Sequence, residues 1–486
     1  MQKICAAFVF FMLFASWSCT EEENTPVLVS TEDILFVGGD KLRVSGRLLT
    51  NREVFADDHG FVFSNDASFS SPISLSLGEK KEPGRFIGEK SGFKIGQTYF
   101  VKAFAEVDGQ RLEGQAVELK TLTPSIASFS PVYSSAGNEL VIEGKNFPEG
   151  TQVFFGSQQA QVLKNVFESK ITVKIPPATG QVVVPIKLLI QGKEYTIPTS
   201  FEYQAGKYAK VADFPSNLRI YDNTFFSNSS GFHVGLGKIK LGDNYAGFQR
   251  FNPATGTWSE VSFPGNRRRF AFATTNYLGG GALEPSRDQF VYDRSLWKIN
   301  GSTFERLGDL PFNSREALAV EWEGKLLLFG GLDGAGFLVR SYDPQSRSWS
   351  NKQNAPVSLS RNGAAFVWNA RVMVLASNGQ VWEYQPTSDT WQIVTTYPGN
   401  KGQGFPIAEV IGKKAYLGLY RATQELWELN LETLTWKVKN QIIGFPQSIN
   451  SGHFQFNGSI YFLRAPEESV SGSLTMELFK FDPDAI

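Results

Sequence analysis

Five stretches of the chain end on an aromatic residue at nearly constant intervals. "FNPATGTW" ends at Trp258, "WKINGSTF" at Phe304, "YDPQSRSW" at Trp349, "YQPTSDTW" at Trp391 and "LNLETLTW" at Trp436, at spacings of 46, 45, 42 and 45 residues. Before each comes a pair of apolar strands, as in "EALAVEWEGKLLLFGG"; after each comes a short strand that usually meets Pro or Gly, as in "VSFPGNRRR" and "TTYPGNKGQ". Four strands in about 45 residues is the arithmetic of a propeller blade. Such a blade is a twisted sheet with two apolar faces and cannot stand alone; stacking blades in a ring buries both faces. The recurrent aromatic fills the wedge between neighbours and contributes roughly 1.5–3 kcal/mol of burial each.

Six blades follow from how the last repeat stops. "SGHFQFNGSIYFL" and "MELFKFDPDAI" provide two inner strands and a third, with no aromatic outer strand. "KYAKVADFP", at 207–215, is an outer strand without the other three. Pairing Tyr208–Val211 beside Leu478–Phe481 completes the sixth blade and closes the ring. "FPGNR", "LLLFGG" and "YDPQSRSW" together resemble kelch repeats, and the resemblance covers 206–486. The paired glycine of "LFGG" is missing from blades four to six, and Phe304 stands where tryptophan is expected.

Upstream, residues 25–122 carry strand-like runs divided by turn clusters such as "FSNDASFSS". "HGFVFS", "GQTYFVKAFAEVDGQRLEG" and "VELKTL" resemble a fibronectin type III-like module. Residues 124–203, with Pro131, Gly137, "LVI", "GKNF", "VFFG" and "ITVKIPP", resemble an IPT/TIG immunoglobulin-like domain. The expected fold is all-β: two N-terminal Ig-like β-sandwiches followed by a six-bladed kelch β-propeller over 206–486, closed by strand 207–214. The start, "MQKICAAFVFFMLFASWSC", has one lysine, an apolar run and small residues before Cys19, and reads as a signal peptide over 1–18. It resembles a bacterial lipobox, which implies lipidation of Cys19, an acidic tether at 19–24 ("TEEEN") and placement on the outer membrane, facing the cell exterior. Cys5 leaves with the signal, so the mature chain keeps one of its two cysteines and forms no intrachain disulfide.

Charge excludes one class of partner. The chain has 47 basic and 48 acidic residues, and nucleic-acid binding wants a basic face. No cofactor is expected. The copper radical oxidases among kelch propellers need a cysteine–tyrosine cross-link and two histidine ligands, whereas this propeller has no cysteine and only His233 and His453, on strands "GFHVGL" and "GHFQF". Arginine recurs after the blade-closing turns: Arg219, Arg267 to Arg269, Arg315 and Arg361 begin blades one to four, with Gln403 and Asn450 near the equivalent points of blades five and six. In kelch propellers the start of the innermost strand faces the central opening. The resemblance therefore implies a mouth lined by Arg219, Arg267, Arg269, Arg315, Arg361, Gln403 and Asn450, suited to a carboxylate, sulfate or phosphate. The alternative for each arginine is a bond to carbonyls or acids of the next blade. Trp322 and Trp368, at the turns of blades three and four, are either sugar-stacking platforms or inter-blade packing.

The expected function is a monomeric surface lipoprotein that binds a glycan at the propeller mouth, where the arginines suit an acidic glycan or an acidic peptide. Two alternatives stand beside it. One is a docking scaffold for another surface protein. The other is a kelch-type carbohydrate enzyme, similar to a sialic-acid mutarotase, for which Glu316 and His453 are the candidate acid and base.

Overall fold

The computed structural model describes residues 26–51, 53–215, 218–444, 447–470 and 474–486. The signal segment and Cys19 lie outside the described residues. The described residues contain no α-helix, and the chain forms two compact units.

The first unit comprises 26–132, 137–177 and 184–201. Its first core closes between two sheets. Leu28–Val37, Lys41–Leu49 and Gly84–Ser91 form one; Ile73–Ser76, Ala56–Ser64, Thr98–Val107 and Gln110–Glu113 form the other, with Val117–Lys120 also on Thr98–Val107. Strand alternation sends Tyr99, Val101 and Ala103 inward, where they meet Leu42, Val44, Phe61 and Phe63. A second core follows downstream. Glu139–Lys145 lies between Ser125–Ser130 and Lys170–Lys174, and Gln158–Val166 pairs with both Lys170–Lys174 and Gln152–Phe155. Leu140, Ile142, Val153, Ile171 and Val173 are buried there.

The second unit, 202–486 with two short upstream stretches, is built on six four-stranded antiparallel sheets. Their first strands, starting at Thr224, Phe272, Leu318, Ala364, Ile407 and Ser448, neighbour one another in a closed ring around an axis. The sixth sheet takes its outer strand from the other end of the propeller sequence. Lys207–Asp213 pairs antiparallel with Glu477–Asp482, Tyr208 opposite Phe481 and Lys210 opposite Phe479. Tyr208 packs on Phe481 at 4.5 Å and on Phe462 at 6.0 Å between ring centroids.

The repeat aromatics wedge each blade against the one before. Trp258 meets Phe214; Phe304 meets Phe248 and Phe263; Trp349 meets Phe312; Trp391 meets Phe329; Trp436 meets Tyr397. Trp322 and Trp368 are also inter-blade residues. Each donates its indole N–H to a hairpin carbonyl of the next blade, Ala370 at 2.7 Å and Gly412 at 3.0 Å. The glycine pair of "LLLFGG" has a steric reason: Gly330 has φ of 65°, and a β-carbon there would lie 2.0 Å from the carbonyl oxygen of Leu359 in the loop that leads to the next blade.

Candidate functional site

A hoop of hydrogen bonds rims one end of the axis. Phe270 N–H donates to the carbonyl of Asp222 (2.8 Å), Glu316 to Phe270 (3.1 Å), Arg361 to Glu316 (3.1 Å) and Phe405 to Arg361 (3.2 Å). The sixth blade joins through side chains: Asn450 Nδ2 donates to the carbonyl of Phe405 at 2.7 Å, and Asn223 Nδ2 to that of Ser451 at 2.5 Å. Asp222, Phe270, Glu316 and Phe405 hold φ between 52° and 62°, a left-handed region that non-glycine residues seldom occupy. Strain of this kind persists only where surroundings over-determine it and concentrates at ligand sites.

Inside the hoop is an axial cavity of about 220 Å³, lined from all six innermost strands. Its walls differ. Blades two to four provide six alanines, Ala271, Ala273, Ala317, Ala319, Ala364 and Ala365; blades one, five and six provide Thr224, Phe225, Phe405, Asn450 and His453. Small residues are concentrated on one side, beside Phe272, Leu318 and Arg361, and polar and aromatic residues face them from the other, with Ala408 among them.

Arg361 lines this cavity. Its Nη1 is buried with no hydrogen-bond partner among the described residues, and its guanidinium lies over the Phe405 ring at 5.1 Å. Burial pushes its pKa down, while Glu316 and Asp222 act in the opposite sense. Both acids are themselves pushed up by burial and held back chiefly by Arg361. Arg269 also pairs with Asp222 and, with Arg315, acts on Glu316, whereas Arg361 makes no ion pair within 4.0 Å with either acid. With Nη1 unpaired and neither acid in contact with it, the guanidinium can still take an accepting oxygen from a small molecule.

Apart from Asn450, the remaining sequence candidates do not line the cavity. Arg219 donates to the carbonyls of Leu474 (2.8 Å) and Val470 (2.7 Å). Arg267 is exposed and reaches Asp243 at 3.4 Å. Arg268 is fully buried on Asp293, Ser295 and the Gly280 carbonyl. Arg269 is clamped between Asp222 and Glu284, and Arg315 makes a two-pronged contact with Asp333 while stacking on Phe290 at 3.7 Å. Gln403 is exposed on its loop. The reason is register: the hoop passes through 222, 270, 316, 361 and 405, so Arg219, Arg267 to Arg269, Arg315 and Gln403 fall one to three residues early. Asn450 lines the cavity, but its amide is spent on Phe405, Leu419 and Arg464.

Two features escaped the sequence reading. One is the alanine pattern, visible in hindsight as "FAFA", "EALA" and "GAAF" at the start of three successive blades. The other is the pairing of His453 with Glu409, Nδ1 to Oε1 at 2.6 Å, on neighbouring inner strands. His233 is different: it is buried, stacked on Phe226 at 4.4 Å, and bonded to Gly231 and Ser302, with burial taking its pKa down to about 4. Among the described residues no group of three or more His, Cys, Asp or Glu is placed to hold a metal ion.

Comparison with known proteins adds the following. The family model of the IPT/TIG domain matches residues 124–203. No curated protein matches the chain. Among solved structures, a structural genomics protein of unknown function from Bacteroides thetaiotaomicron aligns at 12% identity and a TM-score of 0.38, covering 74% of this chain and 98% of its own. An auxiliary nutrient binding protein from the same organism gives 12% identity, a TM-score of 0.38 and the same two coverages. YjhT aligns at 12% identity and a TM-score of 0.44, over 55% of this chain and 94% of its own. With scores this low, the functional reading rests on this chain's own residues.

Proposed function

We propose that this chain is a lipid-anchored cell-surface protein whose propeller, of kelch type, binds a small glycan-derived ligand in its axial cavity. Cys19 carries the lipid at the outer membrane, and the two Ig-like modules, the first fibronectin type III-like, act as spacers. The observation that carries the reading is Arg361, with a buried Nη1 lacking a partner in a cavity lined by all six blades. A buried donor left unpaired costs about 1–3 kcal/mol, which an accepting ligand oxygen recovers. Glu316, and Asp222 in part since it also pairs with Arg269 at 3.1 Å, lie beside Arg361, and their negative charge favours a neutral sugar oxygen over a carboxylate. Phe225 and Phe405 supply apolar faces for a sugar ring. The cavity suits one or two sugar units at the end of a chain, so the ligand is a terminus or a released sugar.

Calorimetric titration of the mature protein against paired neutral hexoses and their uronic acids tests this. The expected result is hexose binding that Arg361→Gln weakens at least tenfold, about 1.4 kcal/mol. Binding that Arg361→Gln leaves unchanged overturns the reading, and a uronic acid preferred over its hexose overturns the neutral-ligand part.

A further inference from the structure

We infer that His453, fixed by Glu409, is the second recognition group of the cavity and accepts a hydrogen bond from a ligand hydroxyl; this rests on the proposed binding of a sugar there. The backbone puts the ring where it can do so. On Ser448–Phe456 the pairing with Ser459–Pro466 slips between Asn450 and Gly452, a bulge that re-aims the residues after it. Gly452 at the bulge has φ of 152°, and a β-carbon there would come within 2.7–2.9 Å of the rings of Phe232 and Phe225. The next residue is His453, which lines the axial cavity with its ring 5.0 Å from that of Phe225.

The two ring nitrogens then have separate roles. Nδ1 lies 2.6 Å from Glu409 Oε1. A carboxylate only accepts, so Nδ1 carries the proton of that bond. In the neutral ring the proton on Nδ1 leaves Nε2 as an acceptor. Nε2 has no partner among the described residues. Arg361 can only donate. The cavity thus offers a fixed donor and a fixed acceptor on different blades, against a wall of alanines that makes no polar demand. The matching ligand presents an accepting oxygen to Arg361 and a hydroxyl proton to His453, which a neutral hexose can do with two of its oxygens. A ligand bearing an acceptor at both ends is rejected, because two lone pairs would then face each other at Nε2.

The test is nitrogen-15 NMR of the histidine rings of the mature protein at pH 8, with the His453 signals assigned by His453→Gln. The expected result is a protonated Nδ1 and a bare Nε2, with Nε2 moving on titration with whichever of D-glucose, D-galactose or D-mannose binds. Glu409→Gln, whose amide can donate to Nδ1 and push the proton to Nε2, should lower affinity for that hexose about tenfold while the Arg361-dependent contact persists. A proton on Nε2 in the wild type, or a bound hexose that leaves Nε2 unmoved, overturns this inference and leaves the proposed function standing. Failure of all three hexoses to bind overturns both.

Discussion

Tyr208 offers a stringent check on ring closure because its ring and its hydroxyl should act in opposite directions. The ring is half-buried in the sixth blade, 4.5 Å from Phe481 and 6.0 Å from Phe462. Removing it in Tyr208→Ala forfeits about 2–3 kcal/mol of packing, below the usual loss for a fully enclosed aromatic, and about 1 kcal/mol of aromatic pairing. The hydroxyl is buried with no partner among the described residues. Tyr208→Phe keeps the ring and deletes that orphan group, so it should stabilise by about 1 kcal/mol. In a domain of this size each kcal/mol moves the melting temperature by about 2 °C. Scanning calorimetry of the mature protein should therefore show the propeller transition lowered by about 6–8 °C in Tyr208→Ala and raised by about 2 °C in Tyr208→Phe. An unmoved transition in Tyr208→Ala would mean that 207–213 is not a clasp on the ring. A loss in Tyr208→Phe comparable to that in the alanine variant would mean that the hydroxyl is bonded, and the reasoning about it would fall.

Other outcomes follow from buried charge and titration. His233 has a folded pKa near 4 against an ordinary 6.5, so the unfolded chain binds the extra proton between those values. Stability from this group is full above pH 6.5 and lost as pH falls toward 4, by about 3 kcal/mol; urea midpoints across this range should show a slope that His233→Gln removes. Arg464 is buried with bonds to Ser448, Asn450 and the carbonyls of Leu419 and Thr423, and burial takes its pKa down to about 10. Arg464→Met leaves the Thr423 carbonyl and Asn450 Oδ1 without their donor, while Leu419 keeps its bond from Asn450, and should cost about 3 kcal/mol, seen as a lower calorimetric transition; a neutral result would show the bonds to be dispensable.

The architecture was legible because it is written in period and alternation. Aromatics every 42–46 residues announce four-stranded units, and a ring is the arrangement that buries both faces of each. The site was less legible for a geometric reason. Arginines at 267–269 and 315 precede the hoop positions 270 and 316 by one to three residues, and in that distance the chain turns away from the axis: Arg268 and Arg315 meet Asp293 and Asp333 of their own blades, and Arg269 meets Asp222 of the blade before. No composition or spacing separates these from Arg361, which sits on the hoop itself. The bond between His453 and Glu409 joins residues 44 positions apart, one repeat, and becomes visible only once adjacent blades are in register.

The rim of the propeller is tied mainly by peptide groups, with side chains needed at the sixth blade alone. A collar made this way depends on the side chains at 222, 270, 316, 361 and 405 only in that each residue must accept its backbone angle and, from 270 onward, donate an N–H, which excludes proline. Lineages can therefore rewrite what the opening recognises one substitution at a time, without first relearning how to make an opening, and aperture and specificity can drift as separate inherited traits.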